Sequence, residues 1–216
     1  MQRLIDANAG EFERFPSFLA AQIADYDKSE IGDGGPYDLC AAGRYWYWDA
    51  AFRESQRQNQ ILFEQLKTVA AEGAKNNYFM SERYDMDHVY YIDGKNAHGA
   101  EKYYEYPNVF TAVLIDKFLG VSIPNDADVF VAPHLEGYGS VEFQLPAYAL
   151  RYSINADGFV LKNLSDQARR YKVDLSALGY SAKRYRLRSA TEERIVDARS
   201  TLTLQAHEEG HWTPVQ

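Results

Sequence analysis

The hydrophobic period of the chain changes near Gly120, and no other feature of the sequence constrains the fold as strongly. Before this point, apolar residues recur every three or four positions, which is typical of helices with one buried face. After it, short segments alternate apolar and polar residues and are separated by turn residues, as in antiparallel sheets. The sequence therefore predicts an α+β protein in which a helical domain, residues 1–120, precedes a β-domain, residues 121–216.

Three helices are predicted before Gly120. The first covers residues 8–26, and the second covers about residues 41–73. The apolar side of the second helix is formed by Tyr45, Trp48, Phe52, Leu62, Leu66 and Val69. The third covers residues 107–119, because Pro107 suits a first helical turn and Gly120 suits the position after a helix.

About eight short segments in the last roughly 90 residues are predicted to be strands. They are residues 128–133, 140–144, 147–155, 158–163, 169–175, 183–189, 193–198 and 200–206. Residues 155–158, Asn-Ala-Asp-Gly, form the clearest hairpin turn. His207, His211 and Trp212 are expected at a strand end or in a frayed tail. This spacing of strands predicts an antiparallel β-sandwich.

The composition limits the kinds of ligand. The chain of 216 residues has a formal net charge of -8 at pH 7, whereas nucleic acid and anionic membranes are held by basic surfaces. Its 17 Tyr and 3 Trp side chains each combine an apolar face with a polar edge. The sequence therefore favours a neutral ligand, and it predicts no nucleic-acid partner and no membrane partner.

Two absences narrow the class of protein further. The single cysteine, Cys40, excludes an internal disulfide framework and a cysteine-rich zinc site. No stretch of about 18 apolar residues occurs, and the N-terminal sequence lacks an apolar core of signal-peptide length. The sequence therefore predicts neither a membrane span nor a signal peptide.

Residues 76–110 interleave titratable groups with aromatic rings and show little regular hydrophobic periodicity. The titratable groups are Glu82, Asp85, Asp87, His88, Asp93, His98, Glu101 and Glu105, and the rings are those of Tyr78, Phe79, Tyr84, Tyr90, Tyr91, Tyr103, Tyr104 and Tyr106. A pyranose sugar presents apolar C–H faces that stack on rings, and hydroxyl groups that carboxylates bind by hydrogen bonds. The stretch is therefore predicted to be a ligand site, with sugars as the first candidates.

A five-residue element within this stretch resembles a known catalytic motif. Ser81-Glu82-Arg83-Tyr84-Asp85 is similar to the Ser-Glu-Gln-Phe-Asp element of glucoamylase-like glycoside hydrolases, with departures at Arg83 and Tyr84. The order of long helix, aromatic-acidic loop, proline-initiated helix and terminal sandwich also resembles the C-terminal end of a six-hairpin, or (α/α)6-barrel, glycosidase. The resemblance implies a partial (α/α)-toroid segment followed by an antiparallel β-sandwich.

The resemblance also implies a mechanism in which Glu82 is the general base of an inverting hydrolysis. It implies a glycan held by Trp46, Tyr47, Tyr84, Asp85, Asp87, His88, Tyr104 and Glu105. Inverting hydrolysis needs a second carboxyl group about 6.5–9.5 Å from the base. Nothing before residue 40 resembles the family's general acid, and Asp38 and Asp49 are the only upstream acids set among aromatic residues. The chain is therefore expected to be either part of a larger enzyme, with the acid supplied by an N-terminal catalytic portion or a partner chain, or a degenerate relative of the family.

Several other interpretations of these residues remain open. Glu82 could pair with a nearby arginine, and Asp85, Asp87 and His88 could ligate a metal in an oxygen-rich loop. No second ligand cluster accompanies them, so no metal and no cofactor are predicted. A non-catalytic carbohydrate-binding or structural module would share the same aromatic residues. A polysaccharide lyase would need cationic neutralisers, and Lys and Arg are sparse in residues 76–110.

Overall fold

The computed structural model describes two units of the chain, Met1–Leu114 and Ile115–Gln216. Within them, the described residues are 41–75, 77–80, 83–84, 103–125, 128–135, 137–145, 148–180 and 182–215. The predicted helix at residues 8–26 lies outside these ranges. The described elements are helical in the first unit and almost entirely strands in the second, so the predicted α+β class is confirmed.

Three α-helices and two very short strands make up the described part of the helical unit. They are β1 (Ala41–Ala42), α1 (Gly43–Ser55), α2 (Asn59–Lys75), β2 (Arg83–Tyr84) and α3 (Glu105–Ala112). A π-helix, Val113–Phe118, continues α3. The third predicted helix is thus confirmed in position, although it begins two residues earlier than Pro107.

The prediction of one long helix over residues 41–73 is wrong, because the chain reverses between α1 and α2. Arg57 adopts a left-handed backbone conformation with φ of 55°. The N–H of Arg57 donates to the carbonyl of Glu54 (3.0 Å), and the N–H of Gln58 donates to the carbonyl of Arg53 (2.9 Å). This pair of hydrogen bonds is a Schellman motif, which ends a helix and satisfies its last carbonyl groups.

A buried polar network joins α1 to α2. Asp49 is 0% exposed and Arg53 is 3% exposed. Arg53 Nε donates to Asp49 Oδ1 at 3.2 Å, and the Gln65 amide donates to Asp49 Oδ2. Gln65 in turn accepts a hydrogen bond from the indole N–H of Trp46 at 3.2 Å. Burial raises the pKa of Asp49, and this effect outweighs the lowering by Arg53 and Gln65.

The N-terminal end of α1 packs closely on α3. A Cβ atom at Gly43 would lie 2.9 Å from the backbone nitrogen of Tyr106, so the position admits no larger residue without a shift. One turn later, the rings of Trp46 and Phe110 are 6.2 Å apart. Since Trp46 and Tyr106 are both 0% exposed, these contacts form the core of the described helical unit.

Ten strands form the second unit. They are β3 (Val121–Asn125), β4 (Asp128–Val131), β5 (Gly139–Gln144), β6 (Ala149–Asn155), β7 (Gly158–Asn163), β8 (Arg169–Asp174), β9 (Arg184–Arg188), β10 (Glu193–Asp197), β11 (Arg199–Leu204) and β12 (Glu209–Val215). One sheet has the order β10-β9-β12-β7-β6-β5, and the other has the order β11-β8-β4-β3. All neighbouring strands are antiparallel except β4 and β8, which are parallel.

The two sheets share one hydrophobic core, as expected of a β-sandwich. Residues from both sheets, including Val129, Tyr171, Leu161 and Trp212, belong to a single cluster of buried side chains. Strand alternation produces this arrangement: in β9, Tyr185 and the leucine two positions later are buried while the arginines between and beside them are exposed. The sandwich predicted from the alternating pattern is confirmed.

The predicted hairpin turn at residues 155–158 joins β6 to β7. The side-chain oxygen of Asn155 accepts hydrogen bonds from the N–H groups of Asp157 (2.9 Å) and Gly158 (3.0 Å). Gly158 has φ of 144°, and a Cβ atom there would lie 2.0 Å from the carbonyl oxygen of Trp212. A side chain is therefore excluded at this position both by backbone conformation and by the neighbouring strand.

The C-terminal strand β12 was not predicted. Trp212, expected in a strand end or frayed tail, is 1% exposed and lies in β12 between β7 and β9. Its indole N–H donates to Ser200 Oγ of β11 at 3.0 Å, which links the two sheets. The expectation is therefore wrong for Trp212, because its large apolar side chain is buried in the core.

The side chain of Asn163, at the end of β7, forms six hydrogen bonds, of which those with Leu204 and Tyr171 connect it to the other sheet. It is 0% exposed. Its amide N–H groups donate to the carbonyls of Gln167 (2.8 Å), Leu204 (3.3 Å) and Gln205 (2.9 Å). Its side-chain oxygen accepts from the N–H and hydroxyl of Ser165 and, at 3.1 Å, from the hydroxyl of Tyr171. Both ends of the amide are therefore fully used.

We expect Asp49→Ala to destabilise the helical unit by about 3–5 kcal/mol, because Arg53 would lose its buried ion pair with Asp49. The measurement is urea unfolding followed by circular dichroism at 222 nm. Glu64→Ala is the matched control on the same hairpin, since Glu64 pairs with Lys67 at 2.8 Å but both side chains are at least half exposed. We expect that control to cost less than about 1 kcal/mol. Equal losses in the two variants would contradict the assignment.

We expect Asn163→Asp to destabilise the sandwich by about 3–5 kcal/mol at pH 7, because a buried carboxylate would face the three carbonyls that the amide now contacts. The pKa of this aspartate would be raised in the folded protein, so folding would bind a proton. The loss relative to wild type should therefore shrink as pH falls from 7 toward about 4. Asn155→Asp, in the exposed turn, keeps an oxygen acceptor and should leave stability unchanged. A loss independent of pH would refute this interpretation.

Candidate functional site: an exposed aromatic cluster in the helical unit

Met80 and Tyr103, which are distant in sequence, are joined by backbone pairing. The N–H of Tyr103 donates to the carbonyl of Met80 at 2.8 Å in an isolated antiparallel bridge. Met80 is 4% exposed and anchors the bridge in the core. The residues that flank this pair, Phe79 and Tyr104, are 51% and 65% exposed. The bridge therefore brings two exposed aromatic residues, distant in sequence, to the same place.

Tyr78 adds a third exposed ring at the end of α2. Asn77 and Tyr78 have φ of 53° and 64°, and the N–H of Tyr78 donates to the carbonyl of Gly73 at 2.6 Å. A left-handed conformation is unfavourable for a residue with a large side chain, at about 1–2 kcal/mol. The turn nevertheless directs Tyr78 outward, with the side chain 76% exposed. We call Tyr78, Phe79, Tyr103 and Tyr104 the aromatic cluster.

An acidic residue, Glu105, follows this cluster in the chain. Glu105 is the first residue of α3 and is partly buried, and Tyr104 occupies the preceding cap position without a capping side-chain hydrogen bond. A negative charge in the first helical turn is favourable because it faces the positive end of the helix dipole. The rings of Tyr103 and Tyr104 have centroids 4.5 Å apart. Two of the predicted glycan-binding residues, Tyr104 and Glu105, thus lie in the cluster or beside it.

A second backbone pairing includes two residues of the Ser-Glu-Arg-Tyr-Asp element. Strands β1 and β2 are antiparallel, with Ala41 opposite Tyr84 and Ala42 opposite Arg83. Arg83 and Tyr84 are described by their backbone alone, which lies beside the residues that lead into α1. The predicted base Glu82 and the predicted binding residues Asp85, Asp87 and His88 lie outside the described residues.

The aromatic residues of α1 are arranged differently from the prediction. Trp46 is fully buried and hydrogen-bonded to Gln65, so its ring presents no face to a ligand and belongs to the core. Tyr47 is partly buried and meets Trp48 edge to face, with centroids 6.4 Å apart. Trp48, predicted on the apolar side of the helix, is 67% exposed. The placement of Trp48 in the core is wrong, and its exposed indole is an aromatic surface that the sequence prediction missed.

The buried face of α1 explains why Trp46 was predicted to bind a ligand and Trp48 to lie in the core. The positions that face the neighbouring helices are Gly43, Trp46, Asp49, Ala50 and Arg53, which recur at helical spacing. Because two of these positions carry charges, hydropathy alone assigns the buried face to the wrong side. An Asp and an Arg four residues apart are the signal that could have identified a buried ion pair.

Asp49 stabilises the hairpin and does not face a ligand. Both carboxylate oxygens are engaged, by Arg53 and by Gln65, and the side chain is inaccessible. A general acid must reach the glycosidic oxygen of its substrate directly. Of the two upstream acids singled out from the sequence, Asp49 is therefore unsuited to this role, and Asp38 lies outside the described residues.

The described residues contain no group of three or more His, Cys, Asp or Glu side chains placed to hold a metal ion. None of the helices described is long and apolar enough to cross a membrane. No family model, curated protein or solved structure matches the chain.

The aromatic cluster has the chemistry of a binding surface. Large exposed rings that are close together on a protein surface often mark contacts with other molecules. Tyrosine offers an apolar ring and a hydroxyl group on the same side chain, whereas Glu105 is partly buried and its Oε2 atom is inaccessible. The arrangement can hold a ligand that has apolar faces and polar rims.

We expect Trp48 to account for the fluorescence that acrylamide quenches in the folded protein. Trp46 and Trp212, the other two tryptophans, are 0% and 1% exposed. Trp48→Phe should therefore leave emission that acrylamide barely quenches, as measured by Stern–Volmer analysis. Tyr104→Phe is the control and should leave quenching unchanged. Strong quenching that persists in Trp48→Phe would show that one of the other indoles is accessible.

Proposed function

We propose that the chain is a carbohydrate-active protein, part of an inverting glycoside hydrolase, that binds a glycan on the aromatic cluster of its helical unit. The observation that carries the proposal is the exposure of Tyr78, Phe79 and Tyr104 in the two segments joined by the bridge of Met80 with Tyr103. Exposed rings and phenolic hydroxyl groups match the apolar faces and hydroxyl rims of a sugar. In this proposal Glu82 activates the attacking water.

The surroundings of the Ser-Glu-Arg-Tyr-Asp element support this role. The bridge of Met80 with Tyr103 precedes the element, and the pairing of β2 with β1 includes its Arg83 and Tyr84. A catalytic base has to be held in one geometry, and the described residues nearest to Glu82 in the chain, Met80 and Arg83, both take part in backbone pairing. The same bridge brings the exposed rings to this part of the chain, so binding and catalysis would share one supporting framework.

The general acid is proposed to come from outside this chain. In the described part of the helical unit, Asp49 is buried in its ion pair, and Glu72 is buried and pairs with Lys75 at 2.8 Å. Inverting hydrolysis uses two carboxyl groups on opposite faces of the sugar. Asp49 and Glu72 are thus unsuited to the role, and the proposal assigns the acid to a complementary catalytic portion. The alternative function is a module that binds glycans without cleaving them.

Glycan binding is tested with Tyr104→Ala and Phe79→Ala, titrated with a panel of neutral oligosaccharides by isothermal calorimetry. Each variant should weaken binding at least about tenfold, which corresponds to about 1.4 kcal/mol. Tyr138→Ala is the matched control, because Tyr138 is 70% exposed but lies in the sandwich unit. An equal loss in Tyr138→Ala, or the absence of any binding by the wild-type chain, would refute the proposed site.

Catalysis is tested with Glu82→Gln in the chain together with any N-terminal portion encoded with it. The variant should abolish hydrolysis and leave glycan affinity unchanged, because the amide keeps the shape of the carboxylate but is a far weaker base. Nuclear magnetic resonance of the released sugar should show inversion at the anomeric carbon. Glycan binding without any hydrolysis by wild type would favour the non-catalytic module. Hydrolysis that survives in Glu82→Gln would exclude this residue as the base.

A further inference from the structure

We propose that a cationic groove on the sandwich unit binds the carboxylate group of an acidic sugar, so that this unit holds a second glycan site specific for uronates. The choice of a sugar as the ligand rests on the proposed function, whereas the preference for an anion rests on the groove alone. The residues that bind the carboxylate in this proposal are Arg184 and Arg199.

The groove lies where the β9–β10 hairpin meets the outer face of the four-stranded sheet. Strands β4, β8, β9, β10 and β11 contribute to its walls, and its volume is about 870 Å³. This volume is within the range of about 300–1,000 Å³ that small-ligand pockets occupy. Arg194 of β10 closes one side, because its Nη2 donates to the carbonyl of Thr201 in β11 at 2.7 Å. The two sheet edges are thereby held together around the groove.

Four cationic side chains and two carboxylates line this groove, although the whole chain has a net charge of -8. The cations are Lys172, Arg184, Arg194 and Arg199, and the carboxylates are Asp174 and Asp197. Acids outside the lining offset the formal excess of two positive charges, so anion binding here depends on guanidinium N–H groups that are not engaged in ion pairs.

Two of the four cations are already neutralised by acids outside the lining. Lys172 Nζ is 2.8 Å from Asp128 Oδ2, and its hydrogen bond is the main reason that the pKa of Asp128 is lowered. Arg194 Nε is 2.7 Å from Glu192 Oε2. These two side chains therefore shape the groove and keep little free charge for a ligand.

The remaining two cations have N–H groups available. Arg199 pairs with Asp174 through Nε at 2.8 Å, its side chain is 79% exposed, and its two terminal nitrogens take no part in that contact. Among the described residues, no carboxylate forms an ion pair with Arg184, although Asp197 lies opposite it on β10. Guanidinium groups bind carboxylates by paired hydrogen bonds, so two of them in one groove form a suitable anion site.

Apolar surface and hydroxyl groups adjoin the cations. Ile195 is 48% exposed, and the partly exposed ring of Phe130 has Lys172 Nζ at 4.9 Å from its centroid. Ser200 and Thr201 also line the groove. A simple inorganic anion would not use this apolar surface. A uronate has an apolar ring face, hydroxyl groups and one carboxylate, and it would use all three kinds of contact.

Nucleic acid fits the groove less well. A polyphosphate chain needs several unpaired cations in a row, and Arg184 alone among the four cations of the groove lacks an ion pair with a described carboxylate. A single carboxylate on each sugar needs only the two guanidinium groups.

The test measures binding of short oligouronates by calorimetry at low salt, beside their neutral methyl esters and a single-stranded oligonucleotide. The variants are Arg184→Gln and Arg199→Gln. Arg188→Gln is the matched control, because Arg188 is an exposed outward arginine of the same strand, forms no ion pair among the described residues and does not line the groove. Arg199→Lys tests whether charge without a guanidinium is enough.

We expect wild type to bind the oligouronates at least about tenfold more tightly than their methyl esters. Arg184→Gln and Arg199→Gln should each lose at least about tenfold in affinity, Arg199→Lys should lose less, and Arg188→Gln should be unchanged. Tyr104→Ala should also be unchanged, which separates this site from the aromatic cluster. The proposal is overturned if no oligouronate binds, if esters bind equally well, if Arg188→Gln loses as much, or if the oligonucleotide binds more tightly at the same residues.

Discussion

The sandwich unit depends on the amide side chain of Asn163, because this one buried polar group is bonded to both sheets. It lies in β7 of the six-stranded sheet and contacts Leu204 of β11 and Tyr171 of β8 in the other sheet. Hydrophobic packing holds the sheets together without fixing their relative alignment, whereas hydrogen bonds are directional. The hydrogen bond from Trp212 to Ser200 is a second contact of this kind. Together they fix the alignment on which the groove between β10 and β11 depends.

The helical unit shows where prediction from sequence fails. Helical content was correctly predicted, and Leu62, Leu66 and Val69 are buried as expected from their spacing. The break at Arg57 was missed because the left-handed turn contains no glycine and its polar surroundings resemble an exposed helix face. The buried side of α1 was misassigned because it contains the pair of Asp49 with Arg53. Burying such a pair depends on tertiary contacts, which a periodic pattern does not contain.

The strands agree with their sequence pattern more closely than the helices do. The sequence pattern anticipated only part of the candidate site. Alternation identified β4 to β11, but Pro124 in β3 and the Gly210 and Pro214 of β12 obscured the pattern in the two missed strands. In the site, Tyr104 and Glu105 are adjacent in sequence, and their role as glycan-binding residues stays a prediction. Phe79 joins them only through the bridge of Met80 with Tyr103, and such a contact between distant segments leaves no local signal. The role of Glu82 stays a prediction.

The position of β12 has a consequence for the order of folding. This strand is the last of the ten in the sequence, yet it pairs with β7 on one side and β9 on the other, in the middle of the six-stranded sheet. Until it is synthesised, the meander β5-β6-β7 and the hairpin β9–β10 have no common neighbour, and two open strand edges remain. Contacts between such distant segments slow folding. During translation, the two parts of the six-stranded sheet would thus remain separate until β12 inserts between them. Their open strand edges would be available to chaperones or to aggregation in the meantime.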